Sequence, residues 1–224
     1  MRSTSPGSLL RMTLFGATVC LFAAACSPGS VDVAPRVSDV ASVERLAERQ
    51  FPGDPDYTPF ASPSDAVRIA DLIVVGRVVG IEGVTSVSTR TGVGGPDMWL
   101  ASMRVQVDEV ISGRLGSTEI IVSTFSEPAR DPEILAHELP KGLAIFILDD
   151  ISDWMPFEDA VFTYPDGVTA GSARFMPYAD GVWFDSENGL LGVQVPAAEL
   201  EARWDGVRTF QDLLGALRAE VPAS

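Results

Sequence analysis

Between Trp99 and Ile111 the chain alternates residue by residue. Trp99, Ala101, Met103, Val105 and Val107 fall on one face, and Ser102, Arg104, Gln106 and Asp108 on the other. This is the period-two pattern of a strand that buries one side. Upstream, Asp71 to Val79 reads Asp-Leu-Ile-Val-Val-Gly-Arg-Val-Val. It is too rich in β-branched residues for an exposed helix and too short to cross a membrane. Two such strands commit the chain to a mainly β fold, a small barrel or sandwich, to which the remaining segments add strands or attach as tethers.

The downstream pattern extends this reading. Thr118 to Phe125 is a third strand, and the unbroken apolar run Leu143 to Leu148 is a strand covered on both faces. Short strands follow at 161–164, 174–178, 182–184 and 190–195, with Asp180-Gly181 and Asn188-Gly189 as hairpin turns between them. Gly76 and Gly80 share one strand face, where a missing side chain permits close approach by a neighbour. The glycine-rich stretch Thr85 to Pro96 reads as a connection, and Glu127 to Lys141 as an irregular crossing with room for a helical turn.

Helix signals flank the strands. Ser62, Pro63 and Asp65 mark an N-terminus, with that helix ending near Ala70. Thr209 and Asp212 form a capping box ahead of Phe210, Leu213, Leu214, Leu217 and Val221, the apolar face of a C-terminal helix. Val40, Val43, Leu46 and Ala47 repeat at helical spacing within Ser38 to Arg49, and the prolines at 52, 55 and 59 end that run. Everything before Ser62 is expected to lie outside the core.

The N-terminus carries an export pattern. Arg2 and Arg11 precede a short apolar run, Thr13 to Phe22, which leads into Ala23-Ala24-Ala25-Cys26. This resembles a bacterial lipoprotein signal with its lipobox, although Ala23 stands where that family more often has leucine. The resemblance implies that Cys26 becomes the acylated first residue of an extracytoplasmic protein anchored to the cell membrane. An acyl anchor holds because each buried methylene contributes about 0.8 kcal/mol. The organisation expected is a signal peptide at 1–25, a tether with a short helix at 26–61, and a barrel domain with its C-terminal helix at 62–224. Cys20 leaves with the signal, so the mature domain has no thiol chemistry and no disulfide.

Beyond residue 26 the chain carries 14 basic and 31 acidic residues, a formal charge of −17, and Lys141 is its only lysine. No basic run offsets this, so nucleic acid is not an expected partner.

A second resemblance lies in the strands. Ala70 to Gly80, followed by Arg104-Val105-Gln106-Val107-Asp108-Glu109-Val110-Ile111-Ser112-Gly113, looks like the opening of netrin-type modules. Those modules are shared with tissue inhibitors of metalloproteinases, and a similar pattern occurs in exported bacterial proteins. The resemblance implies an OB-like barrel. It implies no inhibitor chemistry, because an acylated Cys26 has no free thiol and the mature chain has no bridges.

Catalytic signatures are absent from the sequence. There is no Gly-x-Ser-x-Gly, no phosphate-cradling glycine loop and no His-Glu-x-x-His. His137 is the single histidine, too few for a catalytic zinc set. Acidic groups concentrate at Asp149, Asp150 and Asp153 and at Asp180, Asp185 and Glu187, and neither group has the spacing of a calcium loop. No metal or cofactor is expected.

Three functions remain: an envelope-anchored module that binds a protein or peptide, a hydrolase built on Asp and Glu, and a structural envelope protein. The missing histidine, cysteine and metal patterns favour binding. The candidate contact residues are Trp154, Met155 and Phe157, in a carboxylate-flanked loop. Small barrels need plugs, so these side chains are first expected to fold back over one barrel end, with docking as the alternative.

Overall fold

The structure is a computed structural model that describes residues 36–50, 58–90, 98–126, 131–166 and 173–222. The signal segment, Cys26 and the spacer to Pro35 lie outside the described residues, as do the glycines at 92, 94 and 95. In chain order the elements are α1 (Val40–Gln50), α2 (Pro63–Ile69), β1 (Leu72–Thr89), β2 (Met98–Ser112), β3 (Glu119–Phe125), α3 (Pro132–Glu138), β4 (Ala144–Asp150), β5 (Ala160–Thr163), β6 (Arg174–Ser186), β7 (Gly189–Gly192), α4 (Ala197–Arg203) and α5 (Phe210–Glu220).

Five strands close a barrel in the order β1-β2-β3-β6-β4 and back to β1, with β3 and β6 parallel and the other pairs antiparallel. This is the OB-type Greek-key arrangement, with α3 between the third and fourth barrel strands. Two further strands lie outside the ring, β5 on the far end of β1 and β7 on β6. The mainly β expectation holds.

Closure depends on β1, whose first five residues, Leu72 to Gly76, pair with β4 while its length pairs with β2 through several register shifts. Where it bends, Gly76 meets β2 closely. A Cβ built there would lie 2.5 Å from the Gln106 carbonyl oxygen. Beyond the bend β1 continues to Thr89, so 85–89, expected as connection, is strand. Its residues find a ladder on both sides, in β2 and β5.

The alternating residues of β1, β4 and β6 feed two cores. Leu72, Val74, Ala144, Phe146, Leu148, Val182 and Phe184 face the barrel interior with Met103, Val105 and Val122. Ile73, Val75, Ile145, Ile147 and Trp183 face outward, onto Leu200, Trp204, Phe210, Leu213, Leu214 and Leu217. The run at β4 is therefore covered on both sides, as its composition predicts.

Local signals place the helices. Ser62 accepts from Asp65 N–H at 3.1 Å, and Thr209 and Asp212 form the reciprocal box at the start of α5. α1 corrects the expected boundary of the core. Val37, Val43, Leu46 and Phe60, all before Ser62, are buried, the first three in the barrel interior. Asp180-Gly181 is not a hairpin, and β6 runs through it with an irregular register. The reason is Asp180, which is 3% exposed and accepts from Phe60 N–H and from Arg203, both at 3.0 Å. The hairpin at Asn188-Gly189 does form, with Gly189 at φ +110°.

Ser102 also departs from its expected solvent-facing position, being 1% exposed. Val105 is fully buried as expected, and Val107 is half-buried.

Gly76→Ala should destabilise the protein by about 1–3 kcal/mol, because the added carbon meets backbone that cannot yield. Gly80→Ala, whose nearest contact is the flexible Arg104 side chain at 3.4 Å, should stay within about 0.5 kcal/mol. Urea unfolding of both variants measures the difference, and equal losses would contradict a close crossing at Gly76.

Candidate functional site

The 151–173 connection between β4 and β6 carries Trp154, Met155 and Phe157. Its start is folded tightly. Ile151 is buried, Ser152 N–H donates to Asp150 Oδ1 at 2.8 Å, and Trp154 N–H donates to the Ile151 carbonyl at 3.1 Å. Ala160 N–H then reaches the Phe157 carbonyl at 3.1 Å and turns the chain into β5. β5 pairs along β1, with Val87 opposite Phe162 and Ser86 opposite Thr163.

Alternation along β5 puts Phe162 and Tyr164 on one side, where their rings stack at 5.9 Å and 9°. Trp154 meets Phe162 edge to face at 6.5 Å. The Arg174 guanidinium lies 4.7 Å from the Tyr164 centroid and 5.3 Å from that of Phe162. Such offset and edge contacts, with a cation over the ring face, are the favoured aromatic geometries. Trp154 and Phe157 remain half-buried, and Met155 is 52% exposed.

The structure thus brings the three expected residues onto one loop and adds Phe162, Tyr164 and Arg174. None of the six belongs to either core. The expected plug role falls instead to α1, whose Val43 and Leu46 pack into the barrel interior. The alternation of Phe162 and Tyr164 was visible in the sequence. Arg174 was not, since only folding carries it to rings ten and twelve positions upstream.

A groove of about 510 Å³ opens on the outer side of β2 and β3, lined by Glu82, Arg104, Leu115, Glu119, Ile121 and Ala173. Arg104 and Glu82 pair across it at 3.2 Å.

The acidic residues behave differently from one another. Asp180 is the buried acceptor already described, and Asp185 pairs with Arg36 at 3.4 Å. Among the described residues no group of three or more His, Cys, Asp or Glu is placed to hold a metal ion. His137 is exposed in the last turn of α3, the helical turn for which the 127–141 crossing has room. Among the described residues, no helix is long and apolar enough to cross a membrane.

Among the described residues, Asp149 is the one carboxylate with a raised pKa and a close acidic neighbour. Its pKa is raised by burial, then by the Asp71 side chain beside it. The Tyr178 hydroxyl donates to Asp149 Oδ1 at 3.4 Å, and burial with these two carboxylates pushes Tyr178 up to about 12. Asp71 is held in place because Asp150 N–H donates to its Oδ2 at 2.9 Å. The pair lies outside all three described cavities, whose linings include neither Asp71 nor Asp149.

A raised folded-state pKa favours the fold only while Asp149 is protonated. That contribution is complete below the ordinary value of 3.8 and is lost as pH rises through the raised value. Asp149→Asn should therefore be more stable than wild type at neutral pH, with the difference closing as pH falls towards 3.8. Thermal melts across this range test the sign; a variant less stable at pH 7 would contradict it. The functional reading rests on geometry, because no family model, curated protein or solved structure matches this chain.

Proposed function

We propose that the protein is a lipid-anchored binding module of the bacterial cell envelope, held by acylated Cys26, that docks an envelope protein or peptide on its 151–159 loop. The observation that carries this reading is that Trp154, Met155 and Phe157 belong to neither core and stay partly exposed, although the fold has other means of closing its barrel. Apolar anchors ringed by carboxylates concentrate binding energy when a partner removes them from water. Asp153, Glu158 and Asp159 supply that polar rim.

The anchor and the loop work together. The ten residues from Cys26 to Pro35 reach at most about 35 Å when extended, so the domain stays near the bilayer and meets partners at high local concentration. The hydrolase reading is weaker, since the Asp71–Asp149 pair faces no described cavity.

One set of strains tests both halves. A fatty-acid analogue fed to the host should label wild type and not Cys26→Ser; equal labelling would end the anchor reading. In the labelled background, Trp154→Ala with Phe157→Ala should leave stability within about 2 kcal/mol and abolish cross-linked partners. A loss of about 3–5 kcal/mol would mark the side chains as core. Unchanged stability with unchanged partners would end the docking reading.

A further inference from the structure

The middle of β1 has a strand on one side only. On the side away from β2, β1 pairs with β4 over Leu72 to Gly76 and with β5 over Ser86 to Thr89. Among the described residues, no strand pairs with 77–85 on that side. The ladder with β2 is itself irregular here, passing from Val78 opposite Val105 to Gly80 opposite Arg104 and leaving Val79 as the extra residue. Val79 is 50% exposed. Backbone groups along such an edge are a template for a second extended chain.

A cavity of about 220 Å³ opens at this edge. It lies between residues 78–80 of β1 and Ala136, His137, Leu139 and Lys141, at the end of α3 and just beyond it. Val78 and Leu139 also pack on the barrel-interior core, which fixes the floor. Lys141 is the only lysine of the chain and His137 its only histidine, and both are exposed. No acidic side chain lines the cavity. Neither Lys141 nor His137 enters an ion pair among the described residues. In a chain whose formal charge beyond residue 26 is −17, a cavity lined by a free ammonium and an imidazole and by no carboxylate suits an anion.

We propose that this cavity binds the C-terminus of a peptide that ends in an apolar residue. The terminal carboxylate lies between the Lys141 ammonium and an imidazole N–H of His137, where charged hydrogen bonds hold it. The last side chain lies against Val78, Ala136 and Leu139, and the last peptide group follows the free edge at 78–80. A chain terminus carries a carboxylate, an apolar side chain and a main-chain amide at one carbon. An Asp or Glu within a chain supplies the charge without the apolar arm beside it. The cavity is smaller than the roughly 300–1,000 Å³ of pockets for drug-sized ligands, so it has room for a terminal residue and not for a long acyl chain. It shares no residue with the 151–159 loop, and the inference stands apart from docking there.

The test titrates the full chain with three probes while backbone amide resonances are followed. The probes are acetyl-Gly-Val-Leu with a free C-terminus, the same peptide as its C-terminal amide, and octanoate. The free acid should bind at least about tenfold more tightly than the other two and shift the amides of 78–81 and 136–141. Lys141→Gln and His137→Ala should each weaken it at least about threefold, whereas Trp154→Ala with Phe157→Ala should leave it unchanged. No binding of the acid at millimolar concentration, equal affinity for acid and amide, octanoate binding as tightly as the peptide, or shifts confined to other residues would each overturn the proposal. So would Lys141→Gln and His137→Ala variants that lose stability but keep the peptide affinity, because the two groups would then only neutralise the carbonyl end of α3.

Discussion

Everything in this fold leans on one wall, the part of the sheet where β1, β4 and β6 run side by side and are buried on both faces. Ile145, Ile147 and Trp183 look outward to α4 and α5, while Ala144, Phe146, Leu148, Val182 and Phe184 look into the barrel. Removing apolar side chains from water on both sides of one strand stabilises it about twice as much as one-sided burial, at roughly 25 cal/mol per Å². It also couples the two cores, since a strand displaced for one is displaced for the other. Phe60, Asp180, Arg203 and Trp204 reinforce this from the helical side, with Arg203 and Trp204 donating to the Phe60 carbonyl at 2.7 and 3.0 Å.

The wall and the α1 residues in the barrel interior make up the cores, and the aromatic residues of the β4–β6 connection lie outside both. That connection carries five large side chains that join neither core, with Arg174 at the start of β6 beside two of their rings, and this supports the docking proposal. The acidic surface and the placement of the rings on a surface loop, with Arg174 behind them, fit a module that selects partners by shape and apolar contact rather than by phosphate recognition.

The fold was legible where local chemistry determines it. Ser62 and Thr209 cap helices through their own side chains, the alternation at 101–105 sets the inward face of β2, and the apolar run at 144–148 announces a two-sided strand. Long-range contacts obscured the rest. Thr85 to Thr89 reads as a connection because its pairing partners are 98–100 and 160–163. Asp180-Gly181 carries turn residues, yet Phe60 and Arg203, distant in sequence, hold it inside a strand. α4 had no side-chain signal to read, since its N-cap is Pro196 and no side chain caps it. The loop residues Trp154, Met155 and Phe157 were identifiable by type and spacing, whereas their separation from the cores and the placement of Arg174 over the Phe162 and Tyr164 rings exist only in three dimensions.

The shared wall is tested most directly by equilibrium urea unfolding of Ile147→Ala, followed in one sample by tryptophan fluorescence and by far-ultraviolet circular dichroism. Ile147 belongs to the helix-side core with Trp183 and Trp204, while the barrel strands dominate the β signal. A wall shared by both cores predicts one transition, displaced for both signals by about 2–5 kcal/mol. A fluorescence transition that moves to lower urea while the strand signal stays at its wild-type midpoint would show that the two cores unfold separately, and would contradict the account.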